Sequence, residues 1–159
     1  MMSWNDSYKL AWTDFKDQPD KNAHAVAITA SGITFGYTLK QADKQVISFT
    51  TSVVAHFYPE KSWRKTEADA HVLEHEQLHF DITELYARKF RQRISKLKLS
   101  NTIGEQLKKI HNTINKELAV FQDVYDTETD FSRNPEHQAR WKAEIANQLA
   151  ALSKYKLVD

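Results

Sequence analysis

The stretch AHVLEHEQLHFDI, residues 70–82, is where the reading of the chain begins. Within it His75-Glu76-Gln77-Leu78-His79 matches H-E-x-x-H, a pattern that places two imidazoles one helical turn apart. Residues four apart on a helix share a face, so both side chains can reach one metal ion. Glu76 lies beside the pair, where a carboxylate could act as general base on a hydrolytic water. At about 100° per residue, His71, His75, Leu78, His79, Ile82, Tyr86 and Phe90 fall in one band of a helix. The motif histidines therefore sit on the stripe that turns inward. The plainer alternative is a pair of core histidines without metal. Burying two neutral imidazoles requires a partner for each, which one shared ion supplies. His71, a turn earlier on the same band, reads as packing or as support for a ligand.

Before this helix the period is that of strands. From Lys44 to Tyr58, Ile47, Phe49, Thr51, Val53, Ala55 and Phe57 form one face, and Ser48, Thr50, Ser52 and His56 mostly form the other. Pro59 ends the run. Ala25 to Ala30 and the alternating Ile33, Phe35, Tyr37 and Leu39 predict two further strands, with Ser31-Gly32 as a hairpin turn between them. Trp4, Tyr8, Trp12 and Phe15 are expected to cover one edge of the core. Residues 16–22 read as a loop.

After Pro59 the period becomes helical. Thr66-Glu-Ala-Asp69 is a capping-box variant that predicts Thr66 as N-cap of a helix running to about Leu99, with a break near Ser95 as the alternative. Thr102-Ile-Gly-Glu105 opens a second helix, from about 103 to 128. Asn134-Pro135 opens a third, with Trp141, Ile145, Leu149 and Leu152 on one face. The expected fold is α+β: a small antiparallel or mixed N-terminal sheet, then three helices, in one domain spanning 1–159.

Composition narrows the classes. The 41% apolar and 27% charged fractions are ordinary for a globular chain, and 159 residues suffice for one core. Net charge is +1, which offers no electrostatic case for nucleic acid or an anionic membrane, and no apolar run approaches a membrane span. Residues 1–6 carry no signal-peptide pattern. With zero cysteines, any metal must be held by His, Asp or Glu.

A catalytic zinc site needs a third protein ligand and an open position. In the second helix Leu107, Ile110, Ile114, Leu118, Phe121 and Tyr125 recur at spacings of three and four, and the next position is Glu128. That makes Glu128 the candidate third ligand, against the alternative of a solvated helix end. Asp126 points more than a third of a turn from the stripe, and Asp130 lies past the helix end.

His75 to Arg88, HEQLHFDITELYAR, resembles the core motif of DUF922, a bacterial family of predicted secreted zinc-dependent proteases. Leu10-Ala-Trp-Thr-Asp-Phe15 is similar to the family's opening segment, Ser31-Gly-Ile33 to its early hairpin, and Phe57 to Trp63 to the segment before its active helix. Tyr125-Asp-Thr-Glu-Thr129 with Ser132-Arg-Asn134, then Gln138 and Trp141, resembles its C-terminal signature. The resemblance implies a zincin-like fold, a Zn²⁺ cofactor held by His75 and His79, Glu76 as base, and a third ligand from residues 125–134. It also implies a secreted or periplasmic place. The chain departs from the family at Phe131, where a histidine is usual. A third ligand at that position would be lost here; one at Glu128 would survive.

The expected activity is peptide hydrolysis on a peptide or protein substrate. Tyr125, Tyr86 and His111 are candidates to stabilise the oxyanion. Asp81 is a candidate to orient a ligand histidine, although its angle suits an ion pair better. The 44–58 strand could serve as an edge for extended substrate. Two rivals remain: a metal-binding or interaction module without turnover, which Phe131 favours, and a metal-free structural domain.

Overall fold

In the computed structural model, which describes residues 1–158, the longest strand pairing is a hairpin of β3 (Ser31–Ala42) and β4 (Gln45–Phe57). Its turn is Asp43-Lys44, with φ of 51° and 64°. Left-handed backbone at both central residues matches the right-handed twist of the flanking strands. The turn expected at Ser31-Gly32 is absent. Gly32 lies inside β3 opposite His56, and Tyr58 N–H donates to Ala30 O at 2.9 Å, so the pairing runs straight through. The earlier run contributes only the short β2 (Ala27–Ile28), antiparallel to β5 (Trp63–Arg64).

Register explains which β4 side chains turn inward. Lys40 pairs with Ser48 but Gln41 pairs with Val46, so Ile47 is the extra residue of a bulge. The parity flips there. Val46 is buried with its N–H held by Asn101 Oδ1 at 2.9 Å, while Ile47, expected inside, is exposed. Beyond the bulge Val53, Ala55 and Phe57 are buried as their alternation requires, and Thr51, opposite Tyr37, is exposed.

Strand β4 is the middle strand of three, in the order β1-β4-β3, with β1 being Met2–Ser3. It is therefore not the free edge that its position before the helix suggests. Trp4 N–H takes Ala55 O, and the Arg91 guanidinium takes Val53 O at 3.0 and 2.8 Å. The unpaired edge is the outer side of β3, whose backbone makes no hydrogen bond there among the described residues.

Three helices follow, giving the α+β class that the periodicity predicts. Helix α1 spans Ala70–Ser95, capped by Asp69, whose carboxylate accepts from Val72 N–H at 3.0 Å. Thr66 is not the cap. The carboxylate three residues on captures the first orphan N–H instead, and Thr66 remains in the preceding turn. Helices α2 (Ile103–Glu128) and α3 (Pro135–Ala151) begin where the sequence places them, and Asn134 caps α3 by accepting from His137 N–H.

Helix α1 is the axis of the core. Its Ile82, Leu85, Ala87 and Phe90 are fully buried, meeting Ala55 and Phe57 of β4, Leu107 and Ile114 of α2, and Ile145 of α3 in one apolar cluster. The N-terminal aromatics lie along this core: Phe15 is buried, Trp4 and Trp12 half-buried, Tyr8 exposed. No helix of the described residues is long and apolar enough to cross a membrane.

One buried ionic knot ties the layers together. Glu84 accepts from Arg88 Nε at 2.8 Å and from Arg91 at 3.3 Å; Arg88 also donates to Leu149 O, and Arg91 to Tyr155 O. Removing the carboxylate leaves two cations without their counter-charge. Glu84→Ala should therefore lower unfolding free energy by about 3–5 kcal/mol, measured by urea denaturation.

Candidate metal centre

Two helices build the centre. Helix α1 presents His75 and His79 one turn apart, with ring centroids 5.0 Å apart and planes at 88°. Helix α2 brings Asp126 against both: its Oδ1 lies 2.9 Å from His75 Nε2 and 2.8 Å from His79 Nε2. His75 is almost completely buried, whereas the Asp126 side chain retains 27% exposure, so the cluster opens on the carboxylate side. Each of the three offers one ligand atom, all within 4.8 Å of one another.

The far nitrogens of the imidazoles are already engaged. His79 Nδ1 lies 2.6 Å from Gln122 Oε1. The amide of Gln122 can point only one way, because its Nε2 donates to His79 O at 2.9 Å, an atom that can only accept. Its Oε1 is therefore the acceptor, and His79 carries its proton on Nδ1. His75 Nδ1 lies 2.8 Å from Gln138 Oε1 of α3. In a neutral His79 this leaves Nε2 as a lone pair turned to Asp126. Two imidazole nitrogens and a carboxylate oxygen face one point, and either a proton on the imidazoles or a metal cation between the three satisfies that arrangement.

Tyr125 fills the space behind the pair. It stacks on His75 at 4.5 Å between centroids and meets His79 edge-on at 4.8 Å. Its hydroxyl is within 3.0 Å of both His75 O and Gln138 Oε1, and burial pushes its ionisation far up despite that second contact. Glu76 is buried, and its Oε2 accepts from Thr29 Oγ1 at 2.6 Å, just before β3.

The electrostatics follow from this packing. Burial pushes the Glu76 carboxyl above its usual range, opposed by the nearby imidazoles and the Thr29 hydroxyl. Burial works to raise Asp126 too, but hydrogen bonds from His75 and His79 outweigh it and hold the carboxyl well below the usual range. For His79, burial disfavours the imidazolium, yet the hydrogen bond to Asp126 and the charge of Glu76 hold its pKa above the ordinary value. In the metal-free chain a proton is thus the competitor for this position.

Of the residues expected here, His75, Glu76 and His79 come together; Glu128 does not. Its carboxylate accepts from Trp141 Nε1 at 3.2 Å and faces Arg140 at 3.4 Å, on the side of α2 turned to α3. The apolar stripe could continue from Tyr125 by three residues or by four, and it continues by four: Thr129 is fully buried. Asp126 and Gln122 then flank the stripe on the side of α1. The signal for them was a pair of polar residues four apart, the same interval as His75 and His79.

The remaining candidates have other partners. Tyr125 stands behind the imidazoles and supports their positions. Tyr86 packs on Phe121 under the Lys89 amino group, and His111 lies between Phe35 and Phe90. Neither touches the cluster. Asp81 accepts from Trp4 Nε1 and Gln77 Nε2, both at 2.9 Å, and so fastens the N-terminal segment to α1. His71 donates to Ser132 O at 2.7 Å, anchoring the turn after α2. In that turn Asp130, Phe131 and Ser132 all have positive φ, and Phe131 is exposed.

The comparisons with known proteins bear on this centre through one match. The model of the family described as "Bacterial protein of unknown function (DUF922)" matches residues 8–137, from the N-terminal aromatics through the start of α3. The chain belongs to DUF922. The match includes His75, Glu76, His79, Gln122 and Asp126; Gln138 is the first residue beyond it. No curated protein and no solved structure matches the chain.

Proposed function

We propose that this DUF922 chain is a zinc-dependent peptide hydrolase whose metal is held by His75, His79 and Asp126. The observation that carries the reading is the convergence of two imidazole Nε2 atoms and one carboxylate oxygen, with Glu76 next to the first histidine on the same helix. Two imidazoles and a carboxylate form a nitrogen–oxygen donor set that suits zinc and leaves a position for water. When bound, the metal lowers the pKa of the hydrolytic water to about 7 and polarises the scissile carbonyl.

The rest is the work of the chain's own residues. Glu76 accepts the water proton as the carbon–oxygen bond forms, and returns it to the amine nitrogen as the carbon–nitrogen bond breaks. A carboxyl raised above its usual range suits both halves of that transfer better than an ordinary one. Thr29 Oγ1 holds Oε2 and leaves the other oxygen for the proton. The free edge of β3 starts two residues after Thr29 and offers main-chain pairing to an extended peptide. A secreted or periplasmic place belongs to the same proposal and rests on the family resemblance.

A peptide-library digest tests the reading. Cleavage should stop when a chelator removes the metal and return with added zinc. A zinc-loaded chain that cuts no peptide would instead be a binding module.

Acidity should oppose the metal. Because the His79 pKa is raised in the metal-free chain, zinc must displace a proton once pH falls below that value. Affinity should then drop about tenfold per pH unit for the one proton displaced. The metal-free fold behaves in the opposite sense. Stabilisation from His79 is full below about pH 6.5 and fades as pH rises through the elevated value; that from Asp126 is full above about pH 3.9 and fades as pH falls through the depressed one. Thermal unfolding with and without zinc should show a metal-induced gain that grows from about pH 6 to 8.

A further inference from the structure

We propose that Gln122 and Gln138 are positioning residues that make zinc affinity depend on the docking of α2 and α3, without adding charge to the centre. The inference rests on the zinc reading and extends it to two residues that touch no substrate. Each glutamine sits on a different helix, and each presents Oε1 to the Nδ1 of one ligand histidine, at 2.6 and 2.8 Å. The α1 helix alone leaves both rings free to rotate and to exchange tautomers; the amides from α2 and α3 set both rings with Nε2 toward Asp126.

Gln138 carries a second sign of this role. It is buried at 3% exposure, and its Nε2 has no hydrogen-bond partner among the described residues. An apolar side chain of similar size would avoid that desolvation. What the glutamine supplies in return is one acceptor, and that acceptor is spent on His75 and the Tyr125 hydroxyl.

The choice of amide over carboxylate also has a consequence. A histidine partner that is a carboxylate adds negative charge and makes the imidazole a stronger donor to the metal. Here Asp126 already sets a carboxylate against the ion. Neutral glutamines add none, so the ion keeps more of its polarising power.

The test is zinc affinity of the full metal-free chain, read by competition with a chromophoric chelator. Wild type is compared with Gln122→Met, Gln138→Met, Gln122→Glu and Gln138→Glu. Loss of the acceptor in the methionine variants should weaken zinc by about 10–100-fold. The glutamate variants, which restore an acceptor and add charge, should bind at least as tightly as wild type. A merely structural glutamine reverses that order, because a buried methionine is tolerated better than a buried carboxylate. Methionine variants with wild-type affinity, or glutamate variants weaker than methionine, would overturn the proposal. Gln122 is only half-buried, so its two variants give the answer even if the Gln138 pair unfolds without metal. Failure of wild type to take up zinc would contradict the metal reading itself, and shows in the first titration.

Discussion

Asp126→Ala should abolish stoichiometric zinc binding, and Glu128→Ala should leave it unchanged. The two carboxylates are two residues apart on α2, yet they face different helices. Asp126 Oδ1 is within 2.9 Å of the Nε2 atoms of both His75 and His79, and Glu128 Oε1 is committed to Trp141 and Arg140. Loss of an outer hydrogen-bond partner weakens a metal by 10–100-fold, so loss of a ligand should exceed about 100-fold. The fold should survive both changes. Alanine suits a helix, and the Glu128 carboxylate is exposed enough that its ion pair is worth about 0–1 kcal/mol. Zinc content after gel filtration separates the two variants. Equal loss in both, or loss only in Glu128→Ala, would mean that α2 presents a different face to α1.

Glu76→Gln should leave zinc in place and remove turnover. Glutamine keeps the size of the side chain and can still accept from Thr29 Oγ1, but it cannot take a proton from water. Removing a general base costs about 10²–10⁴ in rate. Stability should move the other way. The fold raises the Glu76 pKa, so the ionised carboxylate is disfavoured inside the protein at neutral pH. An uncharged amide should therefore give a melting temperature equal to or above that of wild type. A variant with wild-type rates would remove Glu76 from the chemistry. A variant that lost its zinc would make Glu76 a ligand.

Much of this architecture was legible in the sequence because it depends on local signals. Asn134-Pro135 marks the start of α3 and Thr102 that of α2, although the Thr102 hydroxyl makes no capping bond, and the alternation in β4 set its inward face beyond the bulge. What failed depends on partners far along the chain or on a choice between near-equal local patterns. Ser31-Gly32 has turn composition, but pairing along the whole of Ser31–Ala42 outweighs it, and the turn falls on Asp43-Lys44, which must adopt positive φ. The edge position given to β4 could not be tested before Met2–Ser3 and Arg91 were placed against it.

The centre divides in the same way. His75, Glu76 and His79 follow from spacing on one helix. Asp126 requires the rotation of a second helix about its own axis, which turns on whether the stripe continues from Tyr125 to position 128 or to Thr129. Apolar periodicity at spacings of three and four resolves a face but not that single step. Gln122 and Gln138 carry no motif chemistry of their own, and they matter only through the ring nitrogens they contact.

Every functional expectation above depends on this three-sided cluster taking up a metal. Its most direct measurement is the metal content of untagged protein prepared without chelator, followed by zinc titration of the metal-free chain at neutral pH. One equivalent of zinc per chain, lost in Asp126→Ala, is the expected result. A wild-type chain that takes up no zinc or other divalent transition metal would contradict the account, and would make the cluster an ion pair between Asp126 and protonated histidines.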